Sequence, residues 1–147
     1  MSRNQPKGLR AVVISLLVIL AVQFEFGMAI NLSGQPSLPP FSFSFTSVLN
    51  ALNQIGFVGV THAVLGTLLT IIALINLVMA LASKMRGVQI FGALGFLSMV
   101  LAATMGLTFT LSGFQNDGYS HGMATNFLLT FGFHFLELYF LKPAGRT

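Results

Sequence analysis

The chain has 147 residues, of which 54% are apolar and 7% charged, and its mean hydropathy is +0.85. Soluble domains carry about 25% charged residues, so this composition excludes a water-soluble globular enzyme. The formal charge of +4 comes from seven scattered Lys and Arg residues rather than from a basic run, which excludes a nucleic-acid-binding patch, and the absence of cysteine excludes disulfides, thiolate metal sites, iron–sulfur clusters and covalent haem attachment.

Four long apolar stretches run over about 11–30, 55–82, 88–112 and 121–141. Each reaches the roughly 20 residues that cross a bilayer as helix. The first follows Pro6-Lys7-Gly8 and is apolar from Ala11 to Ala21 apart from Ser15, with Gln23 and Glu25 near its far end. Its basic flank resembles that of a signal peptide, but about 20 residues exceeds the usual apolar core of such peptides, and it reads as a span. An outer loop over 31–54 contains Pro36, Pro39 and Pro40 and the glycosylation triplet Asn31-Leu32-Ser33. Within it, Phe41, Phe43 and Phe45 alternate with polar residues, and Val48, Leu49, Ala51, Leu52 and Ile55 follow at helical spacing. Residues 41–53 are therefore expected to lie at the membrane interface or to pack as an ordered loop over the bundle.

Ser83-Lys84-Met85-Arg86-Gly87 predicts a tight turn, which makes the second and third spans an antiparallel hairpin. The third span is rich in small residues (Gly92, Gly95, Ala102, Ala103, Gly106), which let helices approach closely in lipid. Gln115-Asn116-Asp117-Gly118 is a second turn signal. The fourth span stops at Pro143. The expected fold is all-α: one membrane domain over 1–147, an integral antiparallel four-helix bundle.

Charge placement orients it. Arg3, Lys7 and Arg10 precede the first span, Lys84 and Arg86 join the second to the third, and Lys142 and Arg146 follow the fourth. The loops 31–54 and 113–120 have no Lys or Arg. The positive-inside rule then predicts a multi-pass cell-membrane protein with both termini in the cytoplasm.

Ionisable groups within the spans are the candidate site residues, because charge is costly in lipid. They are Glu25, His62, His121, His134 and Glu137. At 1.5 Å per residue, Glu25 and His62 lie roughly 8–10 Å inside the outer boundary and His121 at it, with His134 about 20 Å deeper. His62 is either an iron ligand or a neutral imidazole bonded to another helix, with Glu25 at similar depth. Gly66, one turn on, offers space for a flat ring on the same face. His121 is either a second axial ligand or an exposed interfacial histidine. Glu25 is a candidate proton group or a neutral, hydrogen-bonded carboxyl. His134 and Glu137 are three apart, hence on one helix face, and form a hydrogen-bonded pair or half of a proton path.

Val64-Leu65-Gly66 after His62, His121 opening the last span 59 positions later, and the Gly-rich stretch Gln89 to Gly106 give a pattern that resembles one half of a heme A synthase. The resemblance covers about residues 55–141. It implies a bundle holding haem b, with His62 and His121 as axial ligands and Gly66 beside the ring, for electron transfer or haem handling in a respiratory chain. The family typically has Glu three residues before this first His and Arg directly after it; here those places hold Gly59 and Ala63. The alternative expectation is a non-enzymatic accessory subunit of a larger respiratory or transport complex, without its own cofactor, partnered by another membrane protein or by copies of itself. A third reading, a proton or small-solute carrier, requires a continuous polar track from Glu25 to Glu137.

Overall fold

The computed structural model describes residues 7–32, 38, 40 and 42–141. Arg3, Pro6, Ser33, Pro36, Pro39, Phe41, Lys142, Pro143 and Arg146 lie outside them. Four helices make up the described chain: α1 Lys7–Leu32, α2 Phe45–Ala82, α3 Arg86–Leu111 and α4 Asp117–Phe140. α1 packs on α2 and α4, and α3 on the same two, so the helices form a four-membered ring with α1 diagonal to α3 and α2 diagonal to α4. Leu9 and Val13 near the start of α1 meet Ala80 near the end of α2 and Leu141 just after α4, which makes neighbours antiparallel.

α1, α2 and α3 are long and apolar enough to cross a membrane. α4 matches α3 in length but is less apolar, because its inward face carries Thr130, His134 and Glu137, all fully buried. Its outward face carries Leu128, Phe135, Leu136, Tyr139 and Phe140, all exposed. The same reversal runs through the bundle: large apolar side chains such as Val18, Leu68, Val78 and Leu97 point outward. In water this arrangement would leave apolar surface uncovered; in lipid it is the low-energy one. Six threonine hydroxyls are satisfied within their own helix. Thr67, Thr70, Thr104, Thr108, Thr110 and Thr130 each donate to the carbonyl four residues earlier, the bond open to a hydroxyl that has no water nearby.

α2 begins ten residues before the predicted span. Ser44 caps it by accepting the Ser47 N–H, and the helix breaks at Gly56 (φ 73°, ψ −158°). That backbone conformation is essentially restricted to glycine. The break divides α2 into a short outer stretch, Phe45 to Ile55, and a span from Phe57 onward. Phe43, Phe45 and Phe57 are each at least 80% exposed, while Ala51 is buried against Phe109 and Phe114. The expected alternating stretch before it is thus a bend leading into helix. Across the break, Ile55 folds over Gly59, where an added Cβ would lie 2.6 Å from the Ile55 Cβ.

The first tight turn falls where the sequence places it; the second spans 112–116, earlier than the expected Gln115–Gly118, because Asn116 caps α4 and Asp117 and Gly118 open it. Lys84 (φ 57°) lies in the α2–α3 turn, and Gly113 and Phe114 (φ 69° and 62°) in the α3–α4 turn. Left-handed backbone disfavours a phenylalanine, but Phe114 is buried with its ring edge-on to Phe109. Leu38 anchors the outer loop to this turn, donating its N–H to the Gly113 carbonyl and accepting from the Gln115 amide.

The interior is layered. Leu9, Val13, Ala80, Val88 and Leu141 close the α2–α3-turn end. Leu16, Leu20, Leu69, Ala73 and Met99 fill the middle. Ala51, Phe109 and Phe114 close the other end. Polar side chains occupy the levels between these plugs.

Candidate functional site: a buried Asn–His–Glu cluster

His134 and Glu137 are fully buried and face α2 and α3. His134 Nδ1 lies 2.9 Å from Glu137 Oε2. Asn76 of α2, also fully buried, donates its Nδ2–H to Glu137 Oε2 at 2.9 Å and Oε1 at 3.2 Å. The spacing of three on α4 brings His134 and Glu137 together as the sequence predicts. The third member comes from a helix 61 positions away.

α3 makes room for this cluster with two missing side chains. A Cβ on Gly95 would lie 2.6 Å from His134 Cε1 and 2.8 Å from Nε2. A Cβ on Gly92 would lie 2.7 Å from the Ala80 Cβ and 3.1 Å from Glu137 Oε1. The small residues that predict a close-packed α3 therefore have a definite content: Gly95 receives an imidazole and Gly92 a carboxylate. Asn76, Gly92 and His134 are each six residues from a helix end at the α2–α3-turn side, about 9 Å in. Two polar atoms of the cluster, Asn76 Oδ1 and His134 Nε2, have no hydrogen-bond partner.

A second polar level lies between α1 and α2. Gln23 Nε2 donates to the His62 carbonyl at 2.9 Å, and its amide occupies the notch at Gly66, where a Cβ would lie 3.2 Å from it. The His62 imidazole lies on Gly27 of α1, with Cε1 3.2 Å from an added Cβ, and its buried Nδ1 has no partner. Gln23, rather than Glu25, is thus the α1 side chain that meets the His62 segment.

The structure does not bring His62 and His121 together. His62 turns toward α1, and His121 is exposed one turn into α4, the helix diagonal to α2. The space at Gly66 that a ring edge requires is taken by the Gln23 amide. These residues do not fit a bis-imidazole haem b site within one protomer. Glu25 is exposed on the outer surface of α1, beside exposed Phe24, Val22 and Met28. Among the described residues, the apolar middle layer of Leu16, Leu20, Leu69, Ala73 and Met99 separates the level of Glu25 from that of Glu137, and no polar track joins them.

Comparison with known proteins gives no match, whether to a family model, a curated protein or a solved structure.

Two site residues escape a reading of the sequence, Asn76 and Gln23. Asn76 is a lone amide in the run Ile75-Asn76-Leu77-Val78. Its depth, close to that of Glu137 in an antiparallel bundle, is the signal that would have found it.

Proposed function

We propose that the chain is a four-pass membrane subunit with both termini on the cytoplasmic side, performing no reaction of its own and working as part of a larger membrane assembly. The orientation rests on Arg10, Lys84 and Arg86, which are exposed at one end of the bundle, while the 38–54 and 112–120 segments at the other end carry no Lys or Arg. α4 crosses with the others because its polar residues are enclosed by α2 and α3. The observation that carries the assembly reading is Glu25. A carboxyl among exposed Val22, Phe24 and Met28, about 10 Å from the end of α1, faces lipid unless another chain covers it, and lipid is a poor solvent for it. A partner helix offering a Lys, Arg or amide donor satisfies it.

Haem b on His62 and His121, which the resemblance implies, draws on the unpartnered Nδ1 of His62. It asks His121 to leave an exposed position on the diagonal helix. Two measurements separate the readings. A photo-crosslinking residue at position 25, activated in cells, is expected to give one discrete protein adduct; adducts with lipid alone refute the assembly reading. A reduced-minus-oxidised optical spectrum of protein made with ample haem is expected to lack a b-type α-band. A band that disappears in His62→Ala restores the haem reading.

A further inference from the structure

The Asn76–His134–Glu137 cluster has a chemistry that the assembly reading does not use. All hydrogen bonds it makes converge on one carboxyl group: Glu137 Oε2 meets both Asn76 Nδ2 and His134 Nδ1, and Oε1 meets Asn76 Nδ2. Asn76 Nδ2 is a donor only, so the carboxyl oxygens accept from it. The remaining question is how many protons His134 and Glu137 hold between them.

With none beyond the Nδ1–H, the ring is neutral, the carboxylate is ionised and the cluster carries one uncompensated negative charge. Among the described side chains, no cation stands near to balance it. Arg10, Lys84 and Arg86 are all exposed, as are Glu25 and Asp117; His62 is half-buried on the α1 side, and His134 and Glu137 are the only fully buried ionisable side chains among the described residues. The groups facing the cluster are neutral: Asn76 from α2, backbone at Gly92 and Gly95 from α3, and the apolar layers containing Leu9, Val13 and Leu16 of α1. Adding one proton removes the net charge in either of two arrangements, imidazolium donating from Nδ1 to the carboxylate or neutral imidazole accepting at Nδ1 from the carboxylic acid. Both leave an N–H on His134 Nε2, the atom that has no acceptor. An orphan N–H is less costly in this setting than an unpaired buried charge.

We propose that Asn76, His134 and Glu137 form a proton-binding site in the bundle interior, holding one exchangeable proton that the imidazole and the carboxyl share. Asn76 positions the carboxyl and fixes which oxygen faces the ring. Gly92 and Gly95 keep the site dry and tight by bringing the α3 backbone against both groups. The bound proton makes the cluster neutral and lets α2, α3 and α4 close around it; its release leaves a buried charge that favours opening of this end of the bundle.

The test is nuclear magnetic resonance of the full chain in lipid nanodiscs at neutral pH, with 15N-histidine and side-chain 13C-glutamate labels. His134 signals are assigned by their loss in His134→Gln, or from a chain carrying His62→Gln and His121→Gln should that variant not fold. The expected result is a protonated His134 Nε2 together with one of two partners: a doubly protonated ring beside an ionised Glu137, or a singly protonated ring beside a carboxylic acid. A bare Nε2 beside an ionised Glu137 overturns the proposal. In Glu137→Gln, which keeps the shape, the ring is expected to be neutral. A ring that stays doubly protonated there assigns the proton to His134 alone and also overturns it. Neither outcome depends on whether a partner covers Glu25.

Discussion

Gly95→Ala puts the packing account of the buried cluster at risk. The added methyl would stand 2.6 Å from His134 Cε1, 2.8 Å from Nε2 and 3.0 Å from Nδ1. The ring is fully buried and tied to Glu137, which Asn76 holds in turn, so it has nowhere to retreat without breaking a hydrogen bond. Inserting a methyl into a packed core costs about 1–3 kcal/mol, and a broken bond to a buried polar group adds roughly 1–3 kcal/mol. Alanine's better helix propensity returns about 1 kcal/mol. The expected balance is a loss of about 1–2 kcal/mol or more, a factor of at least five to thirty in the unfolding equilibrium. Gly132→Ala, on exposed helix surface where nothing lies within 4 Å of the added methyl, supplies the control: it should gain up to about 1 kcal/mol. Equilibrium unfolding in mixed micelles, followed by helical circular dichroism, measures both. A Gly95→Ala protein as stable as the parent would mean that the His134 ring does not rest on α3, and the account of the cluster would fall with it.

Two further outcomes follow from the backbone and the topology. Gly56→Ala meets no side chain, yet its φ of 73° strains any L residue; it should cost about 1–3 kcal/mol, seen in the same unfolding assay, and unchanged stability would show that the break is not held there. Because the chain has no cysteine, single cysteines at Ser83 and Asn116 can be labelled against a silent background. A membrane-impermeant thiol reagent added to intact cells should reach position 116 and not position 83, and equal labelling would refute the four-pass arrangement.

The helices and turns were legible because apolar length and the clusters Ser83–Gly87 and Gln115–Gly118 are local signals. The His134–Glu137 pair was legible because a spacing of three fixes a shared helix face. The rotation of α2 was not. Its exposed and half-buried faces are both apolar, so periodicity gives no contrast from which to aim His62. The expectation that Gly66 leaves room beside a ring was silent about what packs there, which is the Gln23 amide of a helix 43 positions earlier. Asn76 escaped for the same reason: its partner is set by the pairing of helices, not by neighbours in sequence. The outer stretch of α2 began earlier than predicted because Ser44 supplies a cap that the Phe-Ser alternation masks.

The inward polarity of α4 also constrains the order of biogenesis. A charged side chain costs about 2.5–3.5 kcal/mol at a helix centre and less toward an end, and α4 brings His134 and Glu137 in its last two turns with few strongly apolar residues in its first two. α2 and α3, joined by a short turn, leave the ribosome first and already carry the Asn76 amide and the Gly92 and Gly95 recesses. In the proposed four-pass arrangement the nascent chain would present a ready-made receptor before its last helix emerges, and α4 would enter lipid by docking onto that hairpin rather than by partitioning alone. Damage to Gly92, Gly95 or Asn76 would then surface first as a last segment stranded outside the bilayer and as quality-control turnover.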